Sequence, residues 1–157
     1  MGLLSRHKKV KEETETYYKT IGQVLCPFFN KDILFTSEGF NHLMWSDGRE
    51  RDKSNQLLKF DLLRLASDII RKSGTVQEYR KQLCKYGKRK ENGFFDTKEM
   101  EFWGFVAIVK SHSEYIKVKV ILRKVGDGNI TFWSIMPDGK LKIKDTFHLA
   151  SGDLTED

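Results

Sequence analysis

A stretch of two-residue alternation constrains the fold of this chain more than any other feature. Successive side chains of a β-strand point to opposite faces of a sheet, so YIKVKVILRKV, residues 115–125, predicts a strand with one apolar and one mainly cationic face. GDGN follows as a predicted turn, and NITFWSIM predicts the returning strand of a β-hairpin. The apolar face is predicted to carry Ile116, Val118, Val120 and Leu122, and the other face Lys117, Lys119, Ile121 and Arg123.

The first half of the chain has helical periodicity instead. Residues 5–26 predict a helix that ends before Pro27, and residues 54–72 predict a long helix with leucines at helical spacing. Between them, FTSEGFNHLMW, residues 35–45, predicts a short helix with Ser37 as its N-cap.

His42 lies in the middle of that short helix. On a helical wheel, Phe40, Leu43 and Met44 form the apolar side, and His42 projects roughly opposite its centre. A histidine at this position is not an obvious core residue. It takes part in chemistry if the cationic face of the hairpin is within hydrogen-bond reach, and serves packing or capping if it is not.

The other segments predict the fold class. TVQE, residues 75–78, has the pattern of a capping box and predicts another short helix. Residues 102–110 and 141–145 predict strands before and after the hairpin. We predict one α+β domain, residues 1–157, with N-terminal helices packed on one face of a C-terminal antiparallel meander sheet of about four strands.

Charge is distributed unevenly along the chain. Twenty-eight Lys and Arg residues against 22 Asp and Glu give a formal charge of +6. Residues 1–15 are charged enough to predict a fraying helix end, and residues 150–157 predict a flexible acidic tail. Basic residues gather in 79–90 and 115–124, so the folded body is more basic than the total. RNA is therefore the first partner to consider.

The cysteines and histidines indicate which cellular compartment the protein occupies and whether it holds a metal site. Two cysteines are too few for a disulfide framework, and no histidine has metal-ligand spacing with another His, Cys or carboxylate. No apolar run reaches the roughly 20 residues needed to cross a bilayer, and no secretory segment is recognisable. We predict a cytoplasmic protein with no metal, cofactor or membrane partner; the sequence leaves its oligomeric state open.

The hairpin register brings two cations and a hydroxyl to one face. Lys119, Arg123 and Ser134 on that face could hold a phosphate and stabilise negative charge that develops on it. The opposite face, with Trp133, is predicted to pack on the long helix. The competing interpretation is that alternating cations form only the solvated face of a half-buried sheet. The predicted pairs are Arg123 with Phe132, Ile121 with Ser134, and Lys119 with Met136.

Further basic side chains could contact an RNA backbone. They lie in the polar connection at 45–55, on one side of the long helix and on the hairpin strand. The competing interpretation is that these charges only keep their elements soluble. The candidate RNA-binding residues are Arg49, Arg51, Lys53, Arg64 and Lys117.

The order of FxxEGFNHL, a basic leucine-rich helix and a KVKVILRK hairpin ending in FWSIM resembles the phage-associated branch of the barnase, EndoU, colicin and RelE superfamily of small metal-independent ribonucleases. The resemblance spans residues 30–137. It implies a nuclease-like core at 27–147, helices packed on a four-stranded antiparallel meander, and RNA cleavage on the open face of the sheet. The catalytic residues it implies are His42, Lys119, Arg123 and Ser134.

Cleavage of this kind needs a base for the ribose 2′-OH proton and an acid for the leaving 5′-oxygen. A histidine can fill either role. The sequence does not decide which residue supplies the second acid or base. The candidates are Glu38, Arg49, Arg51 and Tyr115. Two alternatives are a noncatalytic RNA-binding module and a protein-interaction domain whose basic face binds an antitoxin or immunity protein.

Overall fold

The computed structural model describes residues 2–111, 113–138, 154 and 157. Within these residues, four helices precede most of a six-stranded sheet, and a separate two-stranded ribbon connects two of the helices. The elements are α1 Leu3–Ile21, β1 Gln23–Cys26, β2 Lys31–Leu34, α2 Ser37–Met44, β3 Trp45–Ser46, β4 Arg49–Glu50, α3 Lys53–Leu63, α4 Ala66–Lys72, β5 Glu78–Tyr86, β6 Asp96–Ser111, β7 Glu114–Val125 and β8 Ile130–Pro137.

The α+β class with N-terminal helices is confirmed, but the predicted number of about four strands is wrong. The strand order is β1-β2-β8-β7-β6-β5, and every pairing is antiparallel except the one between β2 and β8. Three strands of this sheet were not predicted: β5, at one edge beside β6, and β1 and β2, which come from the N-terminal half and join β8 through one parallel pair, Leu34 with Thr131. The predicted strand at 141–145 lies outside the described residues, as does most of the predicted tail. None of the described helices is long and apolar enough to cross a membrane.

The first helix ends earlier than predicted. Gly22 follows it with a φ of 67°, in the left-handed region that favours glycine, and the chain then enters β1. Val24 and Cys26 are buried as strand residues. Val24 has helical spacing with Tyr18 and Ile21 but fills the core from a strand, so the predicted continuation of the helix to residue 26 is wrong.

The long predicted helix is two helices. Asp52 caps α3 by accepting a hydrogen bond from the Asn55 amide at 2.7 Å, as expected of an N-cap. At its other end the Leu65 amide donates to the Leu62 carbonyl, an i→i−3 bond that tightens the chain before α4 begins. Both helices bury apolar side chains against the sheet.

The helix predicted from TVQE is wrong, because residues 78–86 form β5. Gln77 anchors the start of this strand to β6: its amide donates to the Gly104 carbonyl, and its side-chain oxygen accepts from the Val106 amide. Exposure then alternates along β5 with a period of two. Pairing with a distant strand therefore overrides the local capping pattern.

A β-bulge changes the predicted register of the hairpin. Two predicted pairs, Ile121 with Ser134 and Lys119 with Met136, are confirmed. The pairing shifts between Ile121 and Leu122, so that Leu122 faces Phe132 and Arg123 faces Thr131. The predicted pair of Arg123 with Phe132 is therefore wrong, because β8 has one residue more than β7 at this point.

Helix α2 packs directly on β8 next to the bulge. Gly39 permits this approach, because a Cβ there would overlap the main-chain oxygen of Phe132 and lie 2.9 Å from the Tyr18 hydroxyl oxygen. The helix that begins at Ser37 is thus confirmed, with Thr36 rather than Ser37 as its N-cap residue. This contact brings His42 to the strand cations.

Candidate functional site

The indole of Trp133 joins two of the predicted catalytic residues. The His42 ring stacks on it, with centroids 3.9 Å apart and an interplanar angle of 16°. The Arg123 guanidinium carbon lies 3.7 Å from the indole centroid. The predicted placement of Trp133 on the helix-packed face is wrong, because the bulged residue turns towards Arg123.

His42 is buried, with 6% of its surface exposed, although the helical wheel places it roughly opposite the apolar side of α2. The physical reason is that α2 contacts the sheet on two sides. Phe40 and Leu43 enter the main core, and His42 enters the layer around Trp133. A helical wheel assumes that only one side of a helix is covered.

Arg51 holds His42 in one tautomer. Its Nε donates to the His42 carbonyl at 2.9 Å, and its Nη2 lies 3.1 Å from His42 Nε2. A guanidinium can only donate, so Nε2 is the acceptor and the ring proton is on Nδ1. Burial first, and then repulsion by Arg51, Lys59 and Arg123, holds the pKa of His42 well below its ordinary value. The imidazole is therefore neutral at pH 7.

The lowered pKa of His42 predicts a loss of stability in mild acid. The unfolded state takes up the proton near pH 6.5 and the folded state only at lower pH, so unfolding becomes easier as pH falls from 6.5 towards the lowered pKa. The contribution is at most about 1.4 kcal/mol per pH unit. Urea unfolding at pH 7.5, 6.5 and 5.5 should show a steeper loss for wild type than for His42→Phe. Parallel curves for the two proteins would contradict the buried neutral imidazole.

A second group gathers Lys119 and Ser134 around Asp157. Lys59, from α3, donates from Nζ to Ser134 Oγ at 3.0 Å, to the Ile135 carbonyl at 3.2 Å and to the main-chain oxygen of Asp157 at 2.9 Å. Ser134 Oγ donates to the same Asp157 oxygen at 2.7 Å. Lys119 Nζ lies 3.3 Å from Asp157 Oδ2. Two ammonium groups and a hydroxyl thus surround the oxygens of one acidic residue.

The cationic face implied by the resemblance to be open is covered at this point. Lys119 is 1% exposed, Arg123 8% and Ser134 0%. The implied openness is wrong for these residues because Trp133 turns onto this face, and Asp157, Leu154 and side chains of α2 and α3 pack beside it. Two further carboxylates reach the cations from more exposed positions: Glu38 at 2.7 Å from Arg123 and Glu78 at 3.5 Å from Lys119.

Lys59 is unexpected in this group because its ammonium is almost completely buried. Burial, followed by repulsion from Arg51, holds the pKa of its ammonium well below the ordinary value, and the charge of Asp157 opposes that shift. An isolated ammonium in such a place is strongly unfavourable, so an anion beside Lys59 stabilises the charged form. The region is therefore suited to hold a negatively charged group.

Two buried donors of the site have no acceptor among the described residues. They are Arg123 Nε and Trp133 Nε1. Leaving a buried donor unpaired costs about 1–3 kcal/mol, and two such donors on stacked side chains are uncommon. Oxygen atoms of a ligand would satisfy both.

The candidate RNA-binding residues are mostly spread over the surface. Arg51 contacts His42 as described above. Arg49 is exposed on β4, and Lys53 pairs with Glu50. Surface ion pairs also engage the last two candidates: Arg64 with Asp61 at 3.6 Å and Lys117 with Asp138 at 3.7 Å. Tyr115, one of the open acid or base candidates, is exposed.

Sequence reasoning missed Lys59 and Asp157. For Lys59 a signal existed: Leu62, Leu63 and Ala66, at i+3, i+4 and i+7, are all buried, and a lysine within such an apolar stripe calls for a partner. For Asp157 no local pattern indicates that it reaches the sheet. Among the described residues, no group of three His, Cys, Asp or Glu side chains could hold a metal ion.

Comparisons of the chain with protein-family models, with curated proteins and with solved structures found no match. The resemblance to metal-independent ribonucleases therefore stays a prediction.

Proposed function

We propose that this protein is a metal-independent RNA endonuclease that cleaves through attack of a ribose 2′-OH on the adjacent phosphate. The observation that carries the proposal is the convergence of buried cations, a hydroxyl and a neutral imidazole from four elements of the fold. A purely structural core gains little from such a group, because replacing buried charges by apolar residues is often neutral or stabilising. The converging residues are His42, Lys59, Lys119, Arg123 and Ser134.

In the proposed reaction, His42 is the general base. It takes the 2′-OH proton at Nε2 after the Arg51 donor on that nitrogen moves to the phosphate. A bound phosphate adds negative charge beside the imidazole, and this charge raises the pKa of His42 from its lowered value towards neutrality. The electrons of the 2′-oxygen then form the new bond to phosphorus.

The cations stabilise the charge that develops on the phosphate oxygens. Lys119, Arg123 and Ser134 supply hydrogen-bond donors on one face of the sheet. Two donor atoms at this site, Arg123 Nε and Trp133 Nε1, have no acceptor among the described residues. Lys59 protonates the departing 5′-oxygen, because its lowered pKa makes its ammonium a stronger acid than an ordinary lysine. The products are a 2′,3′-cyclic phosphate and a free 5′-hydroxyl.

The proposed partners follow from the proposed reaction. RNA is the proposed substrate, and the cytoplasm is the compartment in which the protein would encounter it. A toxin-like ribonuclease of a phage or mobile element needs an inhibitor in the cell that makes it, so the proposed protein partner is an antitoxin or immunity protein. An acidic inhibitor would complement the exposed Arg49 and the half-buried Lys53 and Lys117.

A labelled stem-loop RNA tests the proposal. Incubation with the protein and EDTA is expected to give fragments that end in 2′,3′-cyclic phosphates, and a 2′-deoxy substitution at the cleaved position should block the reaction. His42→Ala should lower the rate at least tenfold, a barrier change of about 1.4 kcal/mol. Asn41→Ala, an exposed neighbour on α2, is the matched control and should cleave at the wild-type rate. RNA that binds in a salt-dependent way but stays intact would support the noncatalytic RNA-binding alternative instead.

A further inference from the structure

We propose that Lys59, Lys119 and Ser134 form a binding site for a tetrahedral oxyanion, and that Asp157 occupies this site as an internal ligand that a phosphate group must displace. The identity of the phosphate as part of an RNA chain rests on the proposed function. The existence of the site rests on its contacts alone.

The three donor groups come from separate elements and meet at one place. Lys59 belongs to α3, Lys119 to β7 and Ser134 to β8. All three are at least 98% buried, and each has a donor atom within 3.3 Å of an Asp157 oxygen. A main-chain oxygen and a carboxylate oxygen of Asp157 thus meet two different ammonium groups, as two oxygens of one phosphate could.

Asp157 can be exchanged for another anion but cannot simply leave. Its departure alone would leave the buried Lys59 ammonium without its acidic partner and the buried Lys119 ammonium with the more exposed Glu78, 3.5 Å away, which is unfavourable. A phosphodiester offers several acceptor oxygens and a negative charge, and so replaces what Asp157 provides. The energetic balance therefore favours competition between Asp157 and a phosphate for the same donors.

The way Asp157 is held also fits a displaceable ligand. Leu154 is buried in a small cluster with Met100, Phe102, Ile121 and Met136, apart from the main core. Leu154 packs beside Gly104 and Lys119: a Cβ at Gly104 would lie 3.4 Å from both Leu154 Cδ2 and Lys119 Cδ, an ordinary van der Waals distance. Among the described residues of the C-terminal segment, Leu154 and Asp157 contact this site, and neither belongs to the main core.

The neighbouring unpaired donors indicate a ligand larger than one carboxylate. Arg123 Nε and Trp133 Nε1 are buried and have no acceptor among the described residues while Asp157 is in place. Arg123 shares its sheet face with Lys119 and Ser134. A phosphate within a nucleotide chain would carry further oxygens towards these donors.

Titration with inorganic phosphate tests the site directly. Asp157→Asn keeps the shape of the side chain and removes its charge, so it should bind phosphate at least tenfold more tightly than wild type by calorimetry. Asp68→Asn is the matched control, because it removes the same charge from an exposed ion pair with Arg71 on α4, and it should bind like wild type. Adding Lys59→Met to Asp157→Asn should abolish the gain. Equal affinities for Asp157→Asn and Asp68→Asn would overturn the proposal.

Stability and cleavage measurements separate this proposal from the proposed function. If Asp157→Asn is less stable than wild type, phosphate should raise its melting temperature more than that of wild type; an equal rise in both would count against the site. Tighter phosphate binding by Asp157→Asn with RNA left intact would support the oxyanion site and contradict the ribonuclease. RNA cleavage by wild type, with neither cleavage nor phosphate binding enhanced in Asp157→Asn, would support the ribonuclease and contradict the internal ligand.

Discussion

Replacing Arg123 by glutamine is expected to slow RNA cleavage by about 10²- to 10³-fold, the usual effect of removing one preorganised donor to a developing oxyanion. The guanidinium is fixed before substrate binds, because it lies 3.7 Å from the Trp133 centroid and pairs with Glu38 at 2.7 Å. Donors held in place in this way need no reorganisation as charge develops in the transition state. Single-turnover rates on the stem-loop RNA measure the effect without interference from product release.

Two variants control the Arg123 prediction. Lys124→Gln removes the same charge from the next residue of β7, whose side chain points to the other face, and should leave the rate nearly unchanged. Arg123→Lys keeps the charge but loses the planar fork and the stacking, so an intermediate rate is expected. Equal losses in Arg123→Gln and Lys124→Gln would mean that only the overall positive charge matters, and would contradict a catalytic position for Arg123.

Gly39→Ala is expected to lower the free energy of unfolding by about 3 kcal/mol, at the upper end of overpacking effects. The new methyl group would overlap the main-chain oxygen of Phe132 and lie 2.9 Å from the Tyr18 hydroxyl oxygen, and neither atom is the free end of a flexible side chain. Helix α2 must then move away from β8. Since His42 sits on that helix, RNA cleavage should fall as well.

Gly74→Ala is the matched control for Gly39→Ala. A Cβ at Gly74 would meet no atom within 4 Å, and its φ lies outside the left-handed region. Its stability in urea should therefore equal or slightly exceed that of wild type, because alanine restricts the unfolded chain. Similar stabilities for both variants would show that α2 can shift on the sheet without loss.

Local periodicity was enough to predict the hairpin and the short helix of His42. Residues 115–125 mostly alternate and lead into a turn sequence, so their strand needs no distant information. The common face of Lys119, Arg123 and Ser134 followed from this alternation, and the structure keeps all three together. The class of the fold followed from helical patterns that precede alternating ones.

Tertiary contacts decided how these elements form a site. The extra residue at Trp133 reverses which face its side chain occupies, and a one-residue shift of this kind leaves almost no trace in a pattern of period two. Likewise, residues 78–86 became a strand through pairing with β6, against a local helix signal. The sequence by itself therefore determined which residues alternate and which helices form. Only the tertiary structure decided that His42 is buried against Trp133 and that Lys59 meets Asp157, because those contacts join residues 91 and 98 positions apart, beyond the reach of any local pattern.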